Sequence, residues 1–265
     1  MKKLNFTKMV ASGNDFVIAE LRAQSSGLRI LAQKICDRKY GVGADGLLVL
    51  ERSKIAGVRM RIFNADGTEA QMCGNGARCV ALFTGKSHLE IETKAGIIEA
   101  NLKKGLVRIK LTDCRDIKLD IPIPVNHRSL KVNFINTGVP HAVIFVEGLD
   151  KIDVNNAGRQ IRYHNKFMPA GTNVDFVEIL DRDSIKVRTY ERGVEDETLA
   201  CGTGSVASAI ICSFKLNSRA AKLRFKVKTQ GGEILRVHFT KKDARIKDVW
   251  LEGCAKIVYE GEYNV

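Results

Sequence analysis

The feature that most constrains the fold is a short motif that occurs once in each half of the chain. Met72-Cys-Gly-Asn-Gly76 in the first half matches Ala200-Cys-Gly-Thr-Gly204 in the second. The two motif cysteines, Cys73 and Cys201, lie nearly half the chain apart, and each stands between a polar stretch and a pattern typical of a helix. We interpret this recurrence as a duplicated domain in which each copy presents one cysteine.

Short apolar or alternating runs rich in branched residues predict strands throughout both halves. The predicted strands are 4–10, 16–21, 47–50, 58–63, 89–93, 97–102 and 106–111, then 132–136, 142–146, 173–179, 185–190, 223–227, 234–239, 249–252 and 255–259. Helical spacing predicts helices over 28–35, 74–83, 153–163 and 202–214. The segment 120–127 carries two of the four prolines, which predicts a linker between the halves.

Composition excludes some classes of protein and leaves one alternative open. The 43 basic and 30 acidic residues give a net charge of +13, so a basic nucleic-acid-binding protein stays an alternative. The basic residues are spread along the chain, which favours a solvated surface. No apolar run approaches the ~20 residues of a membrane span. The N-terminus has no apolar core typical of a signal peptide, so we expect a cytoplasmic protein.

The chain has seven cysteines, and their number and spacing narrow their possible roles. An odd count without an export signal argues against a disulfide framework. The absence of any Cys-x-x-Cys spacing argues against a zinc site, and we expect no metal. Most of these residues are therefore interpreted as small buried side chains.

Cys73 and Cys201 are the exceptions, because each is succeeded by a Gly-x-Gly sequence and a predicted helix. Glycines at a helix start let the backbone approach a ligand closely, and the first helical N–H groups stabilise an anion. A helix N-terminus also lowers the thiol pKa toward the neutral range. Two such thiols predict an acid–base pair that removes a proton from one face of a carbon and returns one to the other.

The flanking segments supply candidate ligands for a polar substrate. Arg192 offers a fork for a carboxylate, and Glu191 can bind an ammonium group or tune a neighbouring thiol. Asn14 and Asn173 lie beside predicted strand starts, where an asparagine is commonly a turn residue. His141 stands where a loop enters a strand, so it is either structural or a modulator of a nearby thiol.

One motif resembles a nucleotide site but has the wrong context. Gly41-Val-Gly-Ala-Asp-Gly46 fits the Gly-x-Gly-x-x-Gly pattern, which must follow a strand and open a helix. Here a predicted helix precedes the motif and a strand comes after it. We therefore reject a dinucleotide site, and no P-loop is present.

Together these segments closely resemble the diaminopimelate epimerase family. The resemblance rests on Ala11-Ser-Gly-Asn-Asp-Phe16, Gly41 to Gly46, Asn64 to Cys79, Asn136-Thr-Gly-Val-Pro-His141, Gly171 to Phe176, and Glu191 to Gly204, in the family's order. It implies an α+β fold of two pseudo-symmetric lobes, each a curved, mainly antiparallel sheet or barrel around a central helix. We place these lobes at 1–118 and 119–253, with the strand at about 254–265 returning to the first lobe.

The resemblance also implies the chemistry and the residues that perform it. The expected reaction interconverts LL- and meso-2,6-diaminoheptanedioate for lysine and peptidoglycan biosynthesis, without pyridoxal phosphate or any other cofactor. Cys73 and Cys201 are the implied catalytic residues, and His141 and Glu191 tune the thiols. The implied carboxylate ligands are Gly74, Asn75, Gly202 and Thr203. The residues implied for recognition, mainly of the distal amino-acid end, are Asn14, Asn64, Asn173, Glu191 and Arg192.

Two positions depart from the family pattern, and alternatives stay open. Many members have a glutamine in place of Gly46 and an asparagine in place of Val139, which puts the strictness of distal-end recognition in question. The alternative enzyme is a related two-cysteine racemase for another amino acid, such as proline or hydroxyproline. A small-molecule substrate is the expected partner, with neither nucleic acid nor membrane, and a homodimer is left open.

Overall fold

The computed structural model describes residues 3–21, 24–125 and 128–265, which form two compact units. The first unit comprises Met1–Lys110 together with Gly253–Val265, and the second comprises Leu111–Glu252. The division after Lys110 comes earlier than the one we placed after residue 118. The reason is that the strand beginning at Arg115 pairs with Asn136, which belongs to the second unit.

The first unit is built from nine strands and two helices of the described chain. Its elements are β1 (Lys3–Ala11), β2 (Asn14–Glu20), α1 (Ser25–Cys36), β3 (Gly46–Glu51), β4 (Val58–Asn64), β5 (Glu69–Ala70), α2 (Gly74–Thr84), β6 (His88–Thr93), β7 (Gly96–Lys103), β8 (Leu106–Lys110) and, from the end of the chain, β18 (Lys256–Asn264). In α1 the predicted face is confirmed, because Leu28, Leu31, Ala32 and Ile35 are all buried.

The second unit has a corresponding set of elements. They are β9 (Arg115–Val125), β10 (Arg128–Asn136), β11 (Pro140–Phe145), α3 (Val154–Arg162), β12 (Asn173–Asp181), β13 (Ser184–Glu191), β14 (Asp196–Thr198), α4 (Gly202–Lys215), β15 (Lys222–Lys228), β16 (Ile234–Lys242) and β17 (Arg245–Cys254). Two short 3₁₀ helices, Leu149–Lys151 and Asn165–Phe167, flank α3.

The two units repeat one order of strand pairings. In the first, β2 and β3 are parallel and connected through α1, and β4 and β6 are parallel and connected through α2. In the second, β11 and β12 are parallel and connected through α3, and β13 and β15 are parallel and connected through α4. The remaining ladders described within each unit are antiparallel. This repetition confirms the predicted α+β fold of two similar lobes.

Each unit encloses one of the helices that begin after a motif cysteine. Helix α2 packs against β1, β7 and β8, and α4 packs against β11, β12, β13 and β16. All residues from Gly204 to Ser213 in α4 are buried, as are those from Asn75 to Ala81 in α2. A helix that is buried on every side must lie at the centre of its fold, because it has no face left for solvent.

The predicted linker over 120–127 was wrong for the residues that the structure describes. Residues up to Val125 belong to β9, and Asn126 and His127 lie outside the described residues. Pro122 and Pro124 pair with Lys131 and Ser129 of β10. Two prolines spaced by two residues direct their nitrogens to the same edge of a strand, which leaves the other edge available for pairing.

No helix among the described residues is both long enough and apolar enough to cross a membrane.

Candidate active site

Both motif cysteines stand at the N-terminal cap of a buried helix. Cys73 precedes α2 and Cys201 precedes α4, each with extended backbone angles. The Cys73 sulfur accepts the N–H of Gly76, and the Cys201 sulfur accepts the N–H of Gly204, both at 3.4 Å. The predicted helix starts are thereby confirmed. Each sulfur lies at the positive end of a helix, where the first N–H groups lack intrahelical partners.

The second glycine of each motif lies where a side chain of a neighbouring strand approaches the helix start. A Cβ on Gly76 would lie 3.1 Å from the Leu48 side chain. A Cβ on Gly204 would overlap the carboxylate of Asp175. The motif glycines therefore let the strand side chain reach the first helical turn, next to the sulfur.

The first glycines of the two motifs open the helices themselves. Gly74 begins α2 close to Ile109, and Gly202 begins α4 close to Leu251. A Cβ would lie 3.2 Å from Ile109 at the first position and 2.9 Å from Leu251 at the second. A larger residue at either helix start would therefore crowd the end of an apolar side chain.

In the first unit a chain of hydrogen bonds extends from a guanidinium to a carboxylate. Arg78 donates to the Asn75 amide oxygen at 2.6 Å, and the Asn75 amide nitrogen donates to the Asn14 oxygen at 2.6 Å. The Asn14 nitrogen then donates to Asp45 at 3.1 Å. Because a guanidinium can only donate and a carboxylate can only accept, both amide orientations are fixed. The structure thus brings together the predicted residues Asn14 and Asn75.

Arg78 was not identified from the sequence, although it interrupts an apolar helical run. It is fully buried, and it also donates to the Ser12 hydroxyl at 2.6 Å and to the Cys254 carbonyl at 3.0 Å. A buried arginine in a helix that begins after a motif cysteine is a signal that could have been used, because a buried charge requires several partners.

Asn64 lies at the edge of the sheet where β2 and β3 begin. It ends β4 and pairs with Gly46, the first residue of β3, which in turn pairs with Phe16 near the start of β2. Its exposed side chain donates to the Thr68 hydroxyl at 2.9 Å. Asn14, at the start of β2, therefore lies at the same edge of the sheet as Asn64.

In the second unit a buried polar chain leads to Cys201. The Cys201 sulfur lies 3.4 Å from the Thr203 hydroxyl, which lies 3.0 Å from Nε2 of His141. Nδ1 of His141 lies 2.8 Å from Asp175, and both side chains are fully buried. The other Asp175 oxygen accepts the Thr189 hydroxyl at 2.8 Å. His141 and Thr203 were predicted site residues, whereas Asp175, Thr189 and the bridging position of Thr203 between histidine and thiol were not.

Glu191 lies at the end of β13 and interacts electrostatically with His141, Asp175 and Cys201. Burial raises the pKa of its carboxyl, and the negative charge of Asp175 acts in the same direction. The Thr198 hydroxyl and the proximity of His141 lower this pKa. Its position supports the predicted role in tuning a thiol, because its charge acts directly on Cys201.

Asn173 uses both ends of its amide within the protein. Its nitrogen donates to the Pro140 carbonyl at 3.0 Å, and its oxygen accepts the Arg192 backbone N–H at 2.8 Å. The Arg192 guanidinium donates to the Ala170 carbonyl at 3.0 Å. Asn173 thus anchors the loop that carries Arg192, which brings these two predicted residues together.

The acidity of Cys201 differs from the sequence-based expectation. A helix N-terminus was expected to lower the thiol pKa, but the pKa of Cys201 is raised well above its usual value. Burial is the largest cause, followed by the negative charges of Glu191 and Asp175, and the Thr203 hydroxyl and Gly204 N–H oppose them only in part. Cys201 is therefore a protonated thiol at neutral pH.

Among residues 3–21, 24–125 and 128–265, no group of three or more His, Cys, Asp or Glu side chains is arranged to hold a metal ion.

Comparison with known proteins identifies the family to which this chain is similar. The family model for diaminopimelate epimerase matches residues 6–113 and 133–249. The diaminopimelate epimerase of Methanocella arvoryzae is 40% identical, covering 100% of this chain and 98% of that protein. The diaminopimelate epimerase of Aquifex aeolicus is 38% identical, with 98% of each chain covered.

Solved structures share the fold at low sequence identity. A phenazine biosynthesis protein of the PhzF family from Bacillus anthracis has a TM-score of 0.76 at 20% identity, with 100% of both chains covered. A hydroxyproline epimerase from Agrobacterium vitis has a TM-score of 0.68 at 15% identity, covering 99% of this chain and 91% of that one. Taken with the family match over most of its length, the chain belongs to the diaminopimelate epimerase family.

Proposed function

We propose that this chain is an isomerase that interconverts LL- and meso-2,6-diaminoheptanedioate, with Cys73 and Cys201 as the acid–base pair. One observation carries the proposal: two cysteines cap the central helices of two units that have the same topology. Family membership supports the choice of substrate. Lysine and peptidoglycan biosynthesis are the expected routes for this substrate.

The proposed reaction needs only the two thiols and the substrate. A thiolate takes the α-proton, so that an S–H bond forms as the C–H bond breaks and the electron pair moves toward the carboxylate. The other thiol then gives its proton to the opposite face of the carbon, which forms a new C–H bond and leaves a thiolate. Both sulfurs must therefore reach the same α-carbon, and no cofactor is required.

The helix starts supply the stabilisation that such a carbanion needs. Negative charge develops on the substrate carboxylate as the α-proton leaves, and free backbone N–H groups at helix N-termini favour that charge. Gly74, Asn75, Gly202 and Thr203 are the proposed carboxylate ligands because they form the first turns of α2 and α4. This stabilisation is strongest in the transition state, which is where it accelerates the reaction.

The raised pKa of Cys201 supports a division of labour in the resting enzyme. A thiol whose pKa lies well above the usual value retains its proton at neutral pH. Cys201 is then the proton donor and Cys73 the base for the first half of the reaction in one direction. In the reverse direction the roles exchange, since each turnover leaves the proton on the other sulfur.

Recognition of the distal amino-acid end is assigned to the polar residues around the two helix starts. Asn14 and Asn64 lie at one sheet edge of the first unit, and Asn173, Glu191 and Arg192 lie together in the second. Amides, a carboxylate and a guanidinium suit a substrate end that carries both ammonium and carboxylate. A cytoplasmic location is proposed with this role.

Isotope exchange over a substrate panel tests the proposal. The enzyme is incubated in D₂O with LL-diaminopimelate, L-proline or trans-4-hydroxy-L-proline, and loss of the α-proton signal and inversion are measured. We expect exchange and inversion with diaminopimelate. Exchange with proline or hydroxyproline but not with diaminopimelate would favour the alternative racemase, and binding of nucleic acid with no exchange at all would favour the non-enzyme alternative.

A further inference from the structure

The repeated topology identifies which positions of the two units correspond. In the first unit Phe16 pairs with Gly46, and two residues further along the same strand Leu48 pairs with Ile62. In the second unit His141 pairs with Asn173, and two residues further along Asp175 pairs with Thr189. Phe16, Leu48 and Ile62 therefore correspond to His141, Asp175 and Thr189.

The contact with the helix start gives independent support for this correspondence. Leu48 is the side chain that a Cβ on Gly76 would meet, and Asp175 is the one that a Cβ on Gly204 would meet. Both are fully buried. Each thus lies directly beneath the first turn of the helix that its cysteine caps.

One trio is apolar and the other polar, although both are buried. Burying a carboxylate costs far more free energy than burying a leucine, and it is tolerated only when hydrogen bonds satisfy its oxygens. Asp175 has these partners in His141 and Thr189. The first unit reaches the same backbone arrangement with Leu48, so the fold itself does not require an acid at this position.

We propose that Asp175 is a positioning residue of the epimerase, which holds His141 so that the Thr203 hydroxyl links the imidazole to the Cys201 sulfur. This inference rests on the proposed function. It gives a role to a side chain that is linked to Cys201 through His141 and Thr203.

The hydrogen-bond chain defines where the protons lie. The carboxylate of Asp175 accepts the N–H at Nδ1 of His141, so Nε2 is the ring nitrogen that faces Thr203. The Thr203 hydroxyl then donates to Nε2, and its oxygen accepts the S–H of Cys201. When Nε2 gains a proton the hydroxyl reverses and donates to the thiolate. Each such transfer moves one proton between the Cys201 sulfur and the His141 ring by way of the Thr203 hydroxyl.

Two members of this hydrogen-bond chain have opposite effects on the pKa of Cys201, and these effects can be measured. The titratable groups that face Asp175 and the thiol are His141 on β11, Glu191 on β13 and Cys201 itself before α4. The negative charge of Asp175 raises the pKa of Cys201, and the Thr203 hydroxyl lowers it. Removal of the charge and removal of the hydroxyl should therefore shift this pKa in opposite directions.

The experiment compares Asp175→Asn, Thr203→Val and Thr203→Ser with the wild type. Asp175→Asn preserves size but removes the charge, and its amide nitrogen donates where a carboxylate oxygen accepted, so at most one of the two hydrogen bonds keeps its direction. Thr203→Val removes only the hydroxyl, and Thr203→Ser keeps it. Asp153→Asn, at the exposed cap of α3, is the matched control in the same unit. The measurements are kcat and KM for LL-diaminopimelate, and the pH dependence of Cys201 alkylation by iodoacetamide, followed by mass spectrometry.

We expect kcat to fall about 10–100-fold in Asp175→Asn and in Thr203→Val, with a much smaller change in KM. Alkylation of Cys201 at neutral pH becomes faster in Asp175→Asn and slower in Thr203→Val. Thr203→Ser keeps the alkylation profile of the wild type, and Asp153→Asn resembles the wild type in both measurements. A purely structural role for Asp175 would change stability without this pair of opposite shifts.

The inference is overturned if folded Asp175→Asn keeps the wild-type kcat and alkylation profile. It is also overturned if the pH dependence of Cys201 alkylation in Thr203→Val matches that in Thr203→Ser. These two Thr203 variants decide the matter if Asp175→Asn does not fold. Wild-type enzyme without activity on diaminopimelate would instead refute the proposed function, and the alkylation profiles would still report on the chain to Cys201.

Discussion

The two helix starts share one backbone design but differ in what lies beneath them. Cys73 and Cys201 accept the same N–H contact at the same distance. Beneath the first lies the apolar Leu48, and beneath the second lies Asp175 with its buried hydrogen bonds. The comparison teaches that the repeated fold sets the position of each thiol. The residue beneath each helix start, which differs between the two units, sets the polarity around that thiol.

Removal of either thiol has the largest expected effect on the reaction. Cys73→Ala and Cys201→Ala should each lower the rate of epimerisation by at least about 10²–10⁴-fold, because each removes one of two proton-transfer groups. Chiral chromatography of the products measures this rate. Cys114→Ala is the control, since burial raises the pKa of that thiol to about 12 and no role is assigned to it. Near-normal turnover in either catalytic variant would refute the two-thiol scheme.

Substitution of Leu48, the residue beneath the first helix start, tests whether its apolar surroundings differ from those of Asp175. Leu48→Asp places a carboxyl group in an apolar site and should lower the free energy of unfolding by about 3–5 kcal/mol. Leu48→Met, which preserves the apolar character, should cost less than about 1.5 kcal/mol. Chemical denaturation followed by circular dichroism measures both. If Leu48→Asp is as stable as Leu48→Met, the surroundings of Leu48 accept a carboxyl group, and the two helix starts do not differ in polarity.

Removal of Arg78 from the polar network of the first unit should have an intermediate effect on stability and on KM. Arg78→Met leaves the Asn75 amide oxygen without its donor, which should cost about 1–3 kcal/mol of stability. KM for diaminopimelate should also rise, because the orientations of Asn75 and Asn14 are no longer fixed. Denaturant titration and steady-state kinetics measure the two effects. Arg78→Lys keeps the charge, and an identical KM in all three proteins would show that Arg78 does not orient these amides.

Glu191 provides the smallest effect, with a defined dependence on pH. Burial raises the pKa of its carboxyl in the folded protein, so its ionised form opposes folding. This cost is absent below the unfolded pKa and complete above the folded pKa. Glu191→Gln should therefore gain stability relative to the wild type as pH rises from 4 to 8. Urea titrations at several pH values measure this trend, with Glu147→Gln, at an exposed position, as the matched control.

Much of the fold was predictable because local signals agreed with the tertiary structure. The glycines after Cys73 and Cys201 predicted both helix starts, and their recurrence predicted the repeated topology. The predicted linker failed because Pro122 and Pro124 were interpreted as chain breaks. Sequence spacing alone does not reveal that two prolines on one strand edge leave the other edge free to pair.

The electrostatics of the second helix start were less predictable, since they arise from residues distant in sequence. Cys201 meets His141 through Thr203, and their separation along the chain hides this contact. Asp175 did leave a signal, namely a carboxyl group between the apolar residues Val174 and Phe176 of strand β12. Its partner Thr189 lies on the next strand, which only the pairing register identifies. Burial, which dominates the acidity of Cys201, is likewise a property of the folded protein.

The most direct test of the paired-thiol account is the early time course of isotope incorporation from LL-diaminopimelate in D₂O. Two bases, one for each face, predict that the first meso product carries deuterium at the inverted carbon while the remaining LL substrate stays unlabelled. A meso product that retains the original hydrogen would contradict the account. So would LL substrate that gains deuterium faster than the meso isomer forms.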